Sequence, residues 1–172
     1  MEANQELNIR LRAIGRIHTP YVDSAPYQPA DDERDEFWIT LEPHYGEGLR
    51  ELETFTYIYV LFYPHRVSGE APLIVTPPWA GGRRQVGVFA SRSPLRPNPI
   101  GLSVVRLKRI EGVTLYTSSL DAYDGTPVLD LKPYIAGLDD KSDANVGWVE
   151  GSEDAAHLAL HKRGIPHGGE LT

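Results

Sequence analysis

Phe55-Thr56-Tyr57-Ile58-Tyr59-Val60-Leu61-Phe62-Tyr63 runs through nine residues with no charge, glycine or proline. Its aromatic and β-branched side chains favour a strand, and it is apolar on both faces, which suits the centre of a sheet or barrel better than an edge. Working outward, Asn8 to Ala13 sets Ile9, Leu11 and Ala13 against Arg10 and Arg12, the alternation of a strand with one buried face. Phe37 to Leu41 reads as a short strand, and Gly48 to Glu53 as one or two helical turns. Gln85 to Ala90 and Ile100 to Leu107 are two further strands on either side of a proline-rich connection. Val113 to Leu120 and Val128 to Leu131 bracket Asp124-Gly125, a turn signal because glycine tolerates positive φ. In Asp121 to Tyr134, a tight turn with carboxylates and open backbone amides could hydrogen-bond a ribose or an adenine edge, but taken locally the pattern reads as a plain hairpin.

Between these elements, Thr19 to Glu36 carries Pro20, Pro26, Pro29 and the run Asp31-Asp32-Glu33-Arg34-Asp35-Glu36, which reads as an irregular, exposed loop. One helix is predicted near the end: Ser152 caps it, Glu153 and Asp154 complement its positive N-terminus, and Gly164 closes it. Fourteen prolines and 16 glycines punctuate the chain often. About seven short strands and one terminal helix make the expected fold mainly β, a compact β-barrel with minor helices. Residues 1–150 are expected to form the barrel domain, and 151–172 a C-terminal helix and tail.

The 172 residues suffice for one well-buried domain. No apolar run reaches the length of a membrane span. The start, Met1-Glu2-Ala3-Asn4-Gln5-Glu6, lacks the basic region and apolar core of a secretory signal, so a cytoplasmic protein is expected. Absence of cysteine excludes disulfides, zinc ribbons and thiol catalysis. The net charge of −7 argues at first against an anionic partner, but it is unevenly spread. Arg83, Arg84, Arg92, Arg96, Arg106, Lys108 and Arg109 fall in a window without Asp or Glu, leaving ten basic and 24 acidic residues elsewhere, or −14. Such a basic segment on an acidic body either meets an anion or pairs with the surplus carboxylates.

Ser91-Arg92-Ser93-Pro94-Leu95-Arg96-Pro97-Asn98-Pro99-Ile100-Gly101-Leu102-Ser103 is the unusual segment. Three prolines in six residues fix φ and delete backbone donors. Ser93, Arg96 and Asn98, each preceding a proline, are pushed toward extended geometry. The result is a stiff loop holding Arg92 and Arg96 with little entropy left to lose on binding. A guanidinium so held suits a carboxylate or phosphate; the alternative is a rigid corner whose arginines staple neighbouring strands. His157 and His161 have a metal-compatible i,i+4 spacing but no third ligand nearby, so no metal is expected. No Gly-x-Ser-x-Gly elbow, Gly-Lys-Ser/Thr phosphate loop or Gly-x-Gly-x-x-Gly fingerprint occurs.

Four segments together resemble the TrmO family, also called TsaA-like or YaeB-like. They are Ile14-Gly15-Arg16-Ile17-His18-Thr19-Pro20-Tyr21; Val60-Leu61-Phe62-Tyr63-Pro64-His65; Val86-Gly87-Val88-Phe89-Ala90 running on through Ser103; and Asp124-Gly125-Thr126-Pro127-Val128-Leu129-Asp130-Leu131-Lys132-Pro133-Tyr134. The likeness spans about residues 8 to 149, and Arg96-Pro97-Asn98-Pro99-Ile100-Gly101 is its most specific string. Ser93-Pro94-Leu95 stands where many members have Ser-Thr-Phe or Ser-Pro-hydrophobic.

The resemblance implies a single-sheeted antiparallel barrel that forms a homodimer and binds S-adenosylmethionine near the subunit interface. It implies methyl transfer to N6 of threonylcarbamoyl-adenosine beside the tRNA anticodon. Cofactor contacts would come from Pro26, Tyr27 and Gln28, His65 and Arg66, Arg92, Leu102, and Ala122, Tyr123, Asp124 and Gly125. Arg92 is the candidate for the cofactor carboxylate, and Leu102 with the Asp124-Gly125 turn for the adenine. His65 and Asp124 are the candidates for accepting the N6 proton. Arg83, Arg84 and Arg96 would meet RNA phosphates or the threonyl carboxylate. Some members carry a second, C-terminal domain implicated with the tRNA, and this chain ends at Thr172 after one short helix. Two other functions stay open: a module that senses S-adenosylmethionine without methylating anything, and a methyltransferase acting on a small molecule.

Overall fold

The structure, a computed structural model, describes residues 9–23, 37–77 and 84–150. The fold is mainly β with a few short helices. The strands are β1 (Gly15–His18), β2 (Trp38–Leu41), β3 (Tyr57–Phe62), β4 (Ile74–Val75), β5 (Val86–Gly87), β6 (Gly101–Glu111), β7 (Thr114–Thr117) and β8 (Pro127–Pro133). Six of them pair antiparallel in the order β1-β2-β7-β6-β3-β8, and β8 returns to β1, so this sheet closes on itself and leaves no free edge. β4 and β5 form a separate two-stranded sheet, so the main sheet is not the only one. Short 3-10 segments at Pro43–Leu49, Leu52–Thr54, Val88–Ala90 and Gly147–Val149, and one α turn at Ala136–Asp139, fill the connections.

β3 lies between β6 and β8, as its composition requires. Its faces are not equally buried. Ile58, Val60 and Phe62 point inward, while Tyr57, Tyr59 and Leu61 are half-buried on the outer face. A closed sheet has one dry interior and one outer surface, so an all-apolar strand covers its outer side with large rings instead of a second layer. Inside, Ile17, Ile39, Leu115, Val105 and Val128 meet β3 from the other strands at 0–1% exposure.

Three local expectations are corrected. Residues 9–14 form no strand, and Ile9 and Leu11 are 70% and 61% exposed. Alternation supplies a face but not a partner, and pairing with β2 and β8 begins only at Gly15. The strand expected over 85–90 shrinks to β5, because the chain coils into the 3-10 turn Val88–Ala90. The segments flanking Asp124-Gly125 are not a hairpin: β7 pairs with β2 and β6, β8 with β1 and β3. The expected terminal helix, with His157 and His161, lies outside the described residues.

Candidate functional site

A cavity of about 540 Å³ opens between the proline loop, the end of β3 and the 121–126 turn. Its floor and walls are Phe62, Gly101, Leu102, Ala122 and Val67, and its polar rim includes Arg66, Arg92, Asp121 and Thr126. That volume lies within the range of small-molecule sites, which are mostly apolar with a few placed polar groups.

The loop keeps its shape through its own serines and one arginine. Ser91 Oγ donates to Val88 O at 2.9 Å and accepts from the Ser93 amide at 3.3 Å; Ser93 Oγ accepts from the Leu95 amide at 3.2 Å. These local bonds satisfy amides that no strand reaches. Arg96 Nη1 donates to Ser91 O and Ser93 O, both at 3.2 Å. Arg92 also lines the cavity but has no hydrogen bond or ion pair with another described residue. The two guanidiniums therefore differ: Arg96 staples the loop, and Arg92 lines the cavity without a partner among the described residues.

Gly101 begins β6 at the loop's exit, opposite Phe62. A Cβ there would sit 2.2 Å from the Phe62 ring. Only glycine lets the ring lie flat against the strand and form the cavity floor. Leu102, next in line, is 55% exposed and lines the cavity, while Ser103 Oγ donates to Asp121 Oδ1 at 2.5 Å, fixing that carboxylate at the rim.

The 121–126 turn is braced from behind. Thr126 N–H donates to Tyr123 O at 3.2 Å around Gly125, whose φ of 76° no other residue adopts without strain. The Asp124 amide donates to Tyr21 O, the Gly125 amide to Ile17 O, and Thr19 Oγ1 to Ala122 O, each at 2.9 Å. Asp124 Oδ1 accepts from the Thr19 amide at 3.2 Å and lies 3.6 Å from His18 Nδ1. Of the four residues Ala122 to Gly125, Ala122 and Tyr123 line the cavity; Asp124 and Gly125 hold the turn against the 17–21 segment.

Arg66 lies 4.7 Å over the Tyr123 ring and donates through Nη1 to Val22 O, tying the start of the early loop to the rim. His65 sits between two cavity-lining residues, Pro64 and Arg66, without lining the cavity itself. Its Nδ1 is 3.2 Å from Thr126 Oγ1. Desolvation, then the charges of Arg66 and Arg16, hold its pKa below the usual 6.5, which keeps the ring neutral near pH 7. Arg84 donates to Trp148 O at 2.9 Å and stacks on that ring. Pro26, Tyr27, Gln28 and Arg83 lie outside the described residues. Among the described residues no group of three His, Cys, Asp or Glu is placed to hold a metal, and no helix is long and apolar enough to cross a membrane.

The cofactor contacts implied by the resemblance leave out Phe62, Asp121 and Thr126, which line the cavity. Both Asp121 and Thr126 lie in the 121–134 stretch, but Asp121 stands one residue before the implied cofactor contacts Ala122 to Gly125, and Thr126 one residue after them. Nothing in their types sets them apart, since each is significant only through a partner distant in sequence.

A closed antiparallel sheet thus carries, beside a stiff arginine loop, a cavity of the size that small-molecule sites have. Residues 16–140 match the family model described as the tRNA-methyltransferase O N-terminal domain, so the chain belongs to the TrmO family. It is 36% identical over 162 residues to an Escherichia coli tRNA (adenine(37)-N6)-methyltransferase, covering 89% of this chain and 68% of that one. A probable S-adenosyl-L-methionine-binding protein of Archaeoglobus fulgidus is 40% identical over 152 residues, which are 87% of this chain but 40% of the relative. A crystal structure of TrmO from Pseudomonas aeruginosa superposes with a TM-score of 0.66 at 34% identity, covering 83% of this chain and 63% of that one. The chain thus spans less than two thirds of the length of some of the proteins it matches.

Proposed function

We propose that the chain binds S-adenosylmethionine in the cavity beside the proline loop and methylates N6 of threonylcarbamoyl-adenosine next to a tRNA anticodon. The observation that carries the reading is Arg92: a guanidinium on a stiff loop, at the wall of a ligand-sized cavity, without a partner among the described residues. The donor set fits the group. Arg92 suits the carboxylate of its amino-acid end, Asp121 suits ribose hydroxyls, and Phe62, Leu102 and Ala122 suit the adenine face. When bound, S-adenosylmethionine supplies a methyl on a sulfonium for in-line displacement.

The protein's own contribution is orientation and proton removal. Ser91, Ser93 and Arg96 hold the loop before the ligand arrives, so little ordering entropy is lost on binding. Neutral His65, at the cavity's edge, is the proton acceptor for N6; Asp124, occupied by Thr19 and His18, is the weaker candidate. Two copies are expected to pair through the outer face of β6, where Leu102 and Val104 are 55% and 50% exposed beside Tyr59 and Leu61. The protein works in the cytoplasm, where its tRNA substrate resides.

The second reading is a sensor, favoured by the Archaeoglobus relative, whose name states binding alone, and by the net charge of −7. Labelled cofactor incubated with tRNA carrying the threonylcarbamoyl group separates the two. Label in that tRNA and none in unmodified tRNA supports the enzyme; saturable cofactor binding with no transfer supports the sensor. Absence of binding at millimolar cofactor removes both.

A further inference from the structure

Thr126 is 2% exposed, and its hydroxyl oxygen lies between two atoms. Tyr123 O is 2.7 Å away and His65 Nδ1 is 3.2 Å away. A carbonyl oxygen only accepts, so the single hydroxyl proton is committed to Tyr123. The hydroxyl oxygen can then only accept from the ring, which requires a proton on Nδ1. We propose that Thr126 is a positioning residue that holds neutral His65 as its Nδ1–H tautomer and leaves Nε2 as the ring's one proton acceptor.

The arrangement reverses the ring's own preference, because an unconstrained histidine in water carries its proton mostly on Nε2. A hydrogen bond at one ring nitrogen decides which form persists. The support for Thr126 is rigid: its amide also donates to Tyr123 O at 3.2 Å, closing the turn around Gly125, and the Asp124 and Gly125 amides clamp that turn to Tyr21 and Ile17. The groups around the ring act in the same sense. Arg66 and Arg16 are cations that disfavour the imidazolium. His65 is exposed and stands between the cavity-lining Pro64 and Arg66, with Nδ1 taken up by Thr126.

The catalytic consequence rests on the methyl-transfer reading proposed above. As N6 attacks, its N–H bond breaks and the proton passes to Nε2, giving an imidazolium still bonded through Nδ1–H to Thr126. The N6 electron pair forms the bond to the methyl carbon, and the carbon–sulfur pair returns to sulfur as a neutral thioether. A ring in the other tautomer would present N–H at Nε2 and could not take that proton.

Long-range proton–nitrogen NMR of protein labelled at histidine nitrogen tests the tautomer directly, with His65→Gln identifying the signal among the chain's six histidines. Measured above the ring's titration, Nδ1 should be protonated and Nε2 not. Thr126→Val should return the ring to mostly Nε2–H, and Thr126→Ser should keep Nδ1–H. Nε2–H in the unaltered protein, or an unchanged tautomer in the valine variant, overturns the proposal. In methyl transfer, the valine variant should lose kcat on the order of 10- to 100-fold with KM for the cofactor unchanged, and serine should restore it. Should the tautomer follow Thr126 while neither His65→Gln nor Thr126→Val alters kcat, the ring is not the acceptor. That outcome removes the catalytic role and leaves the tautomer assignment intact. Loss of cofactor binding by the unaltered protein would fail the functional reading instead.

Discussion

Replacing Gly101 with alanine adds one methyl group at the junction of loop, strand and cavity. Built on the backbone, that carbon sits 2.2, 2.4 and 2.7 Å from Cε2, Cζ and Cδ2 of Phe62. Carbon atoms rest about 3.5–4.0 Å apart, so the ring must swing by more than 1 Å. Phe62 is 6% exposed, with packed core on one side and the cavity on the other. The cavity side yields first. Overpacking of this kind costs about 1–3 kcal/mol. For a chain of this size each kcal/mol lowers Tm by about 2–4 °C, giving a loss of about 2–12 °C. A ring displaced into the site should also weaken cofactor binding. Two other glycines calibrate the effect. A Cβ at Gly87 meets nothing within 4 Å, so Gly87→Ala should stay within about 0.5 kcal/mol of the parent. At Gly15 the new carbon would meet the Thr40 carbonyl at 2.3 Å and Leu41 Cα at 2.8 Å, backbone that cannot rotate away, so Gly15→Ala should be the most damaging. Thermal unfolding and calorimetric titration with S-adenosylmethionine read both effects. Equal melting of the Gly101 and Gly87 variants would refute the steric argument. A lower Tm with unaltered affinity would refute the direction of the ring's movement.

Arg92→Ala should cost about 1.5–3 kcal/mol of cofactor affinity, roughly 10- to 150-fold in Kd, through loss of a charge-assisted bond; an unchanged Kd in calorimetry places the carboxylate elsewhere. Arg96→Ala should act on the loop itself, speeding hydrogen exchange of the Ser93 and Leu95 amides, which Arg92→Ala should leave protected. His65 should titrate below 6.5 by NMR, and Arg66→Gln should raise its pKa toward that value; a parent value at or above 6.5 contradicts the desolvated, cation-flanked setting. With the folded pKa depressed, the unfolded chain takes the proton first as pH falls. His65 therefore draws stability down from about pH 6.5 through its folded pKa, a slope that His65→Gln should remove from the acid limb of urea unfolding.

The parts legible in the sequence are those in which a residue's own chemistry limits the backbone. Phe55 to Tyr63 announces β3 because its side chains need a pleated, two-sided setting. Pro94, Pro97 and Pro99 announce the loop, since a chain with fixed φ and missing donors has few other forms. Asn8 to Ala13 misleads because alternation is a property of one segment and pairing of two. The supposed hairpin misleads similarly: Asp124-Gly125 does turn the chain, but its flanking strands pair not with each other but with β2 and the neighbouring β6 on one side, and with β1 and β3 on the other. Arg92 and Arg96 cannot be told apart on paper, being the same residue type on the same loop. What separates them is the folded position of the Ser91 and Ser93 carbonyls.

The same reasoning bears on how an acidic protein could engage RNA. The sequence offered two fates for the basic window, an anionic partner or pairing with the surplus carboxylates. Among the described residues, the contacts shown are mostly of another kind. Arg96 is held by carbonyls, Arg84 by a carbonyl and the Trp148 ring, and Arg106 by the Tyr57 ring at 4.7 Å and its hydroxyl at 2.6 Å. Arg109 lies 3.6 Å over Tyr116 and pairs with Glu111 at 2.8 Å. A carbonyl or a ring face orients a cation without cancelling its charge, whereas a carboxylate does both. These contacts hold the side chains of Arg84, Arg96, Arg106 and Arg109 in place. A cation ordered in this way loses less entropy on meeting a phosphate than a free one.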